Sequence, residues 1–540
     1  LPKNIVSFSE IPGFSRLFQD FISHSEHLDY FFGSELIAKK IECLNNYSFP
    51  RRTAADILMR QNQSWKAPKQ VLSAIEKLRD PKAVAVFTGQ QAGLFSGPYL
   101  TILKALAAIK EAARLEKEMA VPVVPIFWID ADDHDYEEIS SIHLFNREGK
   151  LSRLSIDDER KGHFPPIGSL TYGDSIEKTV RQLISFLPDN DFKEEAISPI
   201  KQSYLPGKRI VDCFAEYVMH LIGHLGLPLF NPYDAEFKTS IIPLMQHIVT
   251  DFPQIRKALS ERKKKLTDAG YHLQVQKSAE SVHLFFHDPD RQAIRFDGKM
   301  FHAGERNLSR PELLELITSR PFDFSSDVMT RPIVQSYFFP AVMVIGGPAE
   351  MAYYAQLFPL FDFFGLVPPQ VQPRPSLTLV EARFEKMMLH FNLSLPEIAA
   401  GWEKTTNRLM RNSLPVGIEK ESHAFSNDFQ RKWEQLKDNL ASDNPDLSRT
   451  FDLTKRKIDF LLKELDGKVF AAHKKNNQAD RDKLQALSEH LFPRQALAER
   501  SIVPVYFISR YGERLLDFVY ENMKIDETGH HLLMLSEYDG

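Results

Sequence analysis

The stretch Val86-Phe-Thr-Gly-Gln-Gln-Ala-Gly-Leu-Phe-Ser-Gly-Pro-Tyr99 decides how this chain is read. A short apolar strand, Ala83 to Phe87, runs into a loop carrying Gly89, Gly93 and Gly97. Pro98 then opens a helix with Leu103, Leu106, Ile109 and Ala113 on one face. Proline in a first helical turn loses no hydrogen bond, because that N–H has no partner within the helix. The loop is thereby placed over a helix N-terminus, where free N–H groups and the helix dipole favour an anion. Strand, glycine-rich turn and helix make the opening unit of a nucleotide-binding α/β fold. The spacing matches neither G-x-G-x-x-G nor the P-loop, so a tight turn that simply needs small residues stands as the plainer reading. Gln90 and Gln91 add directed donors and acceptors. With Thr88, Gly89 and Gly97 they form the candidate phosphate or carboxylate loop.

The pattern continues outward. Val121 to Ile129 is an apolar, β-branched run that reads as a buried strand and ends in Asp130-Ala-Asp-Asp-His-Asp-Tyr-Glu-Glu138. Strand, helix and strand make one parallel unit, normally right-handed. Leu227 to Asp234 reads as a further strand with Asn231 and Asp234 at its carboxyl end. Ala341 to Ile345 reads as another, followed by the turn Gly346-Gly-Pro348 and a helix from Ala349 to Leu360. The fold class is α/β with a Rossmann-like parallel-sheet core.

The predicted organisation has N-terminal helices and the first half of the core over 1–145, and a first insertion over 146–205. The core resumes over 206–235. A second insertion with a β-meander spans 236–330, and core returns over 331–375. After the proline-rich linker 367–375 the apolar period changes. Leu377, Val380, Phe384, Met387 and Phe391 step by three and four, as do Ile458, Leu461 and Leu465. That predicts an α-helical coiled-coil arm over 376–500. The segment 501–540 reads as a return to the core.

Composition narrows the function. The 540 residues are 43% hydrophobic and 26% charged with a formal charge of −5, an ordinary globular balance without the basic footprint of a nucleic-acid binder. No apolar run approaches the ~20 residues of a membrane helix, and the first residues lack a signal-peptide pattern. Two cysteines, Cys43 and Cys213, give neither a disulfide framework nor metal-type spacing. A cytoplasmic protein is expected.

Three constellations carry chemistry. The first is the 88–98 loop. The second is the acidic run, where carboxylates around one imidazole suit His134 to acid–base work and could hold Mg2+ beside a nucleotide. Asp133, His134 and Asp135 are the favoured members; the plainer reading is a helix-capping acidic run. The third joins Arg331 and Gln335, which could clamp a carboxylate or phosphate, to Gly346, Gly347, Glu350 and Tyr353. Arg262-Lys-Lys-Lys265 reads as a solvated helix end, His530-His531 as an exposed tail, and Cys213 as helix packing.

Together Thr88–Pro98, Asp133-His-Asp135, Arg331-Pro-Ile-Val-Gln335 and Gly346-Gly-Pro-Ala-Glu350 resemble the BshC family, the cysteine ligases of bacillithiol biosynthesis. The resemblance extends over nearly the whole chain, including Pro373-Arg-Pro375 and Tyr506 to Tyr511. It implies a core similar to class I aminoacyl-tRNA synthetases, two connecting insertions, and a coiled-coil arm that forms a homodimer. It implies addition of L-cysteine to glucosaminyl-malate by an amide-forming ligase, with ATP or another adenine nucleotide as activator. His134 would then take the amine proton, tuned by Asp133 and Asp135, and Arg331 would stabilise developing charge. The synthetase signatures His-Ile-Gly-His and Lys-Met-Ser-Lys-Ser do not occur, and Ser336 stands where the family pattern is acidic. A non-catalytic nucleotide- or sugar-binding partner of the true ligase, or a coiled-coil scaffold, are the alternatives.

Overall fold

Five short apolar runs become one parallel sheet: β1 (Val84–Gln90), β2 (Val123–Ile129), β3 (Leu229–Phe230), β4 (Ala341–Gly346) and β5 (Gln370–Pro373). The structure is a computed structural model that describes residues 4–157, 164–441 and 447–539. The spatial order is β5-β4-β1-β2-β3 with every neighbour parallel. The chain lays down β1, β2 and β3 in one direction, then returns and sets β4 on the far side of β1. That reversal is a topological switch point, and open α/β sheets bind ligands outside the carboxyl ends of the strands there.

Residue types explain the layers. Every residue of β2 is buried, as in a strand covered on both faces. Helix α1 (Leu100–Met119) returns the chain from β1 to β2. It is rich in Ala and Leu, good helix formers, and is buried without a break from Thr101 through Ile109. The helix starts at Leu100, two residues after Pro98. Strand β1 is longer than the apolar pattern predicts. It continues through Thr88, Gly89 and Gln90 because these three still pair with Phe127, Trp128 and Ile129 of β2.

An antiparallel hairpin, Ser141–Phe145 with Leu151–Ser155, straddles the expected start of the first insertion at 146, and the helices Ser175–Phe186 and Lys193–Ser203 follow within it. The second contains the expected meander: Ser281–His287, Arg291–Phe296, Phe301–Ala303 and Arg306–Leu308. A fifth strand, Phe324–Ser326, pairs with the first of these. Three further helices matter below: α2 (Tyr136–Ile139), α3 (Arg331–Phe338) and α4 (Pro348–Leu357). The last is followed by a separate helix, Pro359–Phe363, where the sequence pattern reads as one.

Several expectations are corrected. Ser376–Val380 is a strand, parallel to His530–Met534, which also pairs with Ile5–Val6. Leu377 and Val380 therefore belong to a sheet and not to the arm. His530 is fully buried in that sheet, bonded to Ser376 Oγ at 2.8 Å and Thr378 Oγ1 at 2.9 Å, so it is no exposed tail. Arg262 is buried inside a helix that continues to Asp268; it donates to Tyr30 O and lies against the Tyr30 and Phe31 rings. Cys213 is buried in the helix Ile210–Ile222, as expected of a packing residue.

The residues fall into two compact units, Asn4–Val380 with Ala496–Gly540, and Glu381–Gln495. The second unit is wholly helical. Its long helices, Val416–Ala441 and Leu447–Asn476, form an antiparallel hairpin in which Lys437 meets Asp452 and Lys455 meets Glu434. Trp433 and Phe451 pack between them with ring centroids 5.4 Å apart. Leu461 and Leu465, which the heptad-like spacing places on a seam facing either the hairpin partner or another subunit, are exposed in the single chain. Among the described residues no helix is long and apolar enough to cross a membrane.

Candidate active site

The carboxyl ends of β1, β2 and β4 converge at the switch point. Beyond β1, Phe95, Ser96 and Gly97 all adopt positive φ, at 48°, 71° and 68°. Left-handed non-glycine residues cost energy and mark turns that the surroundings enforce. A Cβ on Gly93 would sit 2.8 Å from Gly97 Cα, so the glycines let the loop close on itself. Gly89 answers a different need: its Cβ would lie 2.6 Å from Trp128 O of the neighbouring strand. Part of the expected row of N–H groups is already engaged. Ser96 N donates to Tyr204 Oη, Gly97 N to Leu94 O and Tyr99 N to Ile502 O. These three donors are tied to the loop itself and to its neighbours, and Gln90 and Gln91 bring side chains to the cleft.

Lys104, one turn into α1, is the hub of that contribution. Its ammonium donates to Gly89 O at 2.9 Å and Gln90 Oε1 at 3.0 Å, and lies 2.5 Å from the Glu350 carboxylate. Glu350, in the first turn of α4, also accepts from Gly347 N at 2.7 Å. Burial lowers the Lys104 pKa and Glu350 opposes the shift. One cation thus links the end of β1 to the Gly346–Gly347 turn after β4. Alongside, Arg374 pairs with the fully buried Glu499 at 2.6 Å.

The acidic run beyond β2 separates into distinct roles. Asp132 is consumed by the buried Lys238 at 2.5 Å. Asp135 caps α2 by accepting from Glu138 N, which is the plainer reading of that residue. Asp133 accepts from Gln91 Nε2 at 2.5 Å and from His134 N at 2.8 Å. Burial alone would raise the Asp133 carboxyl. Its bonds to His134 and Gln91 and the charge of Arg291 outweigh burial and hold it well below the usual carboxylate range. Asp130 goes the other way: burial pushes its carboxyl up to about 6 against the charge of Arg331, with Asp133 adding to the rise. Two carboxyl groups at one strand end whose environments drive them apart are a pattern of acid–base sites.

His134 meets a group that sequence reasoning missed. Arg291, from the meander, lies 3.0 Å from His134 Nδ1 and 3.5 Å from Asp133, with its guanidinium stacked 3.6 Å from the Phe285 ring centroid. Arginine only donates, so Nδ1 accepts and Nε2 is the other polar atom of the ring. A cation from the second insertion thus joins Asp133 beside the His134 ring. Arg331, first residue of α3, donates to Tyr353 Oη at 2.6 Å. Gln91 Oε1 and Gln335 Nε2 are buried without a hydrogen-bond partner among the described residues. Buried polar atoms are normally satisfied, and orphans at a cleft point to a bound water or ligand.

Of the sequence candidates, the strand ends bring together Gln90, Gln91, Asp133, His134, Arg331, Gly346, Gly347, Glu350 and Tyr353. Thr88 faces another task, donating to Ile345 O between β1 and β4. Asn231 is held structurally: Gln61 bonds its backbone N–H and C=O, and its Oδ1 accepts from Tyr233 N. Among the described residues no three His, Cys, Asp or Glu side chains form a metal site. The nearby acids are instead neutralised by Lys238, Lys104 and Arg291, so the residues do not fit a preformed Mg2+ cage.

Lys104 carried a legible signal, as the lone charge between Leu100 and Ile109. Arg291 carried none.

This architecture defines a Rossmann-like α/β protein with a polar cleft at its switch point and a separate helical arm. The chain belongs to the BshC family of bacillithiol biosynthesis. Residues 2–375 match the family model described as Bacillithiol biosynthesis BshC, N-terminal Rossmann-like domain, and residues 377–535 match the C-terminal coiled-coil domain of the same family. A protein of Salinibacter ruber named "Putative cysteine ligase BshC" is 30% identical over 89% of this chain and 88% of its own length. One of Koribacter versatilis with the same name is 30% identical over 95% of this chain and 96% of its own. A solved structure described as a putative arginyl tRNA synthetase from Campylobacter jejuni covers 88% of this chain and 98% of its own at 11% identity and a TM-score of 0.23. That score says nothing of fold or function.

Proposed function

We propose that the cleft joins L-cysteine to the amine of glucosaminyl-malate to form bacillithiol, as an amide-forming ligase in the cytoplasm. The observation that carries the reading is the cluster at the strand ends in which Gln91 Oε1 is buried without a partner among the described residues beside Asp133 and His134, with Asp130, a carboxyl that burial raises to about 6 against the charge of Arg331, in a family whose relatives are named as cysteine ligases. ATP or another adenine nucleotide, with Mg2+ carried on its phosphates, would supply activation of the cysteine carboxyl group.

The residues take the following parts. The carbon–nitrogen bond forms between the sugar amine and the cysteine carboxyl carbon, and the bond to the activated oxygen breaks. Asp130, ionised above pH ~6, accepts the proton that the amine gives up, because a base works best when its pKa lies near the working pH. Arg331 keeps N–H groups beyond its bond to Tyr353 and faces the negative charge that develops on the carboxyl oxygen. Gln91 Oε1, buried and unpartnered, accepts from the substrate amine or a sugar hydroxyl. Asp133 and Arg291 fix Gln91 and His134 in place, and His134 orients the sugar through Nε2. Gln90, Lys104, Gly346, Gly347 and Glu350 hold the two strand ends apart at the width the substrates need.

Turnover by the purified protein tests the proposal. Cysteine, glucosaminyl-malate and ATP are incubated with the chain, and bacillithiol is followed by mass after thiol derivatisation. Product that requires all three supports the ligase. A folded protein that binds glucosaminyl-malate without turnover supports the non-catalytic partner instead.

A further inference from the structure

A second concave site lies in the second insertion. The helix Phe252–Asp268, the segment 275–281, His283, Met329 and Gln356 enclose a cavity of about 680 Å³. Small-molecule sites span roughly 300–1,000 Å³. Arg256, Lys257, Lys263 and Lys277 line it with one lining carboxylate, Glu261, and Lys277 also lies 3.9 Å from the buried Asp327. Among the described residues neither Lys257 nor Lys263 is in an ion pair, and the four lining cations outnumber the one lining carboxylate. Concave surfaces of one sign concentrate counter-ions.

One wall residue, the buried His283, is held in a strained conformation by Asp327. His283 adopts φ +63° within a strand, a conformation that non-glycine residues hold only when the surroundings impose it. Its Nδ1 lies 2.9 Å from Asp327 Oδ2, and its carbonyl accepts from Thr330 Oγ1 at 2.6 Å. Asp327 is fixed in turn by Met329 N and Thr330 N. The carboxylate holds the imidazole proton on Nδ1 and leaves Nε2 as the ring's remaining polar atom. None of these groups takes part in the chemistry assigned to the cleft.

We propose that this cavity binds a small molecule carrying a phosphate or diphosphate group. Lysines, as compact charges on flexible stems, suit the tetrahedral phosphate, and Leu259, Val275 and Met329 supply an apolar wall for the rest of the molecule. The assignment stands apart from the ligase reading.

Inorganic pyrophosphate is the probe, in calorimetry on the full chain at low salt. Binding in the wild type should weaken at least tenfold in Lys257→Ser/Lys263→Ser, whose positions are exposed, and weaken as salt is raised. Arg331→Ala, in the cleft, should leave it unchanged. No binding in the wild type overturns the proposal. So does binding that survives the double lysine variant, or that is lost with Arg331→Ala. Citrate binding as tightly as pyrophosphate overturns the assignment to phosphate.

Discussion

Lys104 Nζ lies 2.5 Å from the Glu350 carboxylate, and this one contact spans the switch point between β1 and β4. The two residues belong to helices that leave adjacent strands in opposite topological directions. Lys104 further donates to the Gly89 carbonyl and the Gln90 side chain at the end of β1, while Glu350 accepts from the Gly347 N–H. The crevice thus has a charged, hydrogen-bonded link across its floor before any ligand arrives. Preorganised dipoles of this kind cost no rearrangement during reaction.

Removing one partner of a buried ion pair leaves an uncompensated charge, which costs about 3 kcal/mol or more. Lys104→Met is therefore expected to lower the unfolding free energy in urea by about that amount. Lys104→Met/Glu350→Gln should recover part of the loss, because no lone carboxylate remains. Equal destabilisation in the single and double variants would show that packing of the lysine stem, and not its charge, is what matters.

Asp130 makes a pH prediction with a definite sign. Its carboxyl is raised from the ordinary 3.8 to about 6 by burial. As proton acceptor it must be ionised, so kcat/KM should climb with pH through about 6 and then level. Asp130→Asn should lower turnover about 10²-fold and flatten that acid limb. The linkage runs the other way for folding: a raised carboxyl stabilises fully below its ordinary pKa, and the contribution is lost as pH rises through about 6. Asn at 130 should consequently lift the melting temperature at pH 8 and hardly at pH 4. An unchanged acid limb in Asp130→Asn removes it from the reaction.

Arg291 ties the second insertion to the cleft. Arg291→Met would strip His134 Nδ1 and Asp133 of a donor while keeping an apolar stem on Phe285. Turnover should drop by about 10² with circular dichroism unchanged, and His134→Asn made on top of it should add little, since both act through the same ring. Fully additive losses would separate the two residues.

Much of the core was legible, and the reasons are local. β2 is a continuous apolar run because both its faces are covered, and α1 announces itself by period and propensity. The end of β1 was misplaced by three residues because Thr88, Gly89 and Gln90 resemble loop residues, although Gly89 is there to let Trp128 approach. Ser376–Val380 mimicked a helix because Leu377 and Val380 happen to lie three apart; only the distant partner strand His530–Met534 makes it a strand. In the site, Gln91, Asp133, His134 and Arg331 stand in motifs next to strand ends and could be found by spacing. Arg291 could not, because an insertion returns it to His134 from 157 residues away.

The arm supplies the last prediction. In the long hairpin, Trp433 and Phe451 face each other, whereas Phe460, Leu461 and Leu465 are exposed by 67%, 59% and 58%. Leu461 and Leu465 lie one helical turn apart on the same face. An exposed apolar stripe on a long helix is a liability unless another helix covers it, and a second copy of the arm is the partner we expect. Burying a leucine contributes about 2 kcal/mol, and a twofold interface counts each position twice. Leu461→Glu/Leu465→Glu should hence weaken self-association by about 10³-fold or more. Light scattering at micromolar concentration should find a dimer in the wild type and a folded monomer in the variant, with helical circular dichroism retained. A wild type that is monomeric at that concentration, or a variant that stays dimeric, would place the subunit contact elsewhere or remove it.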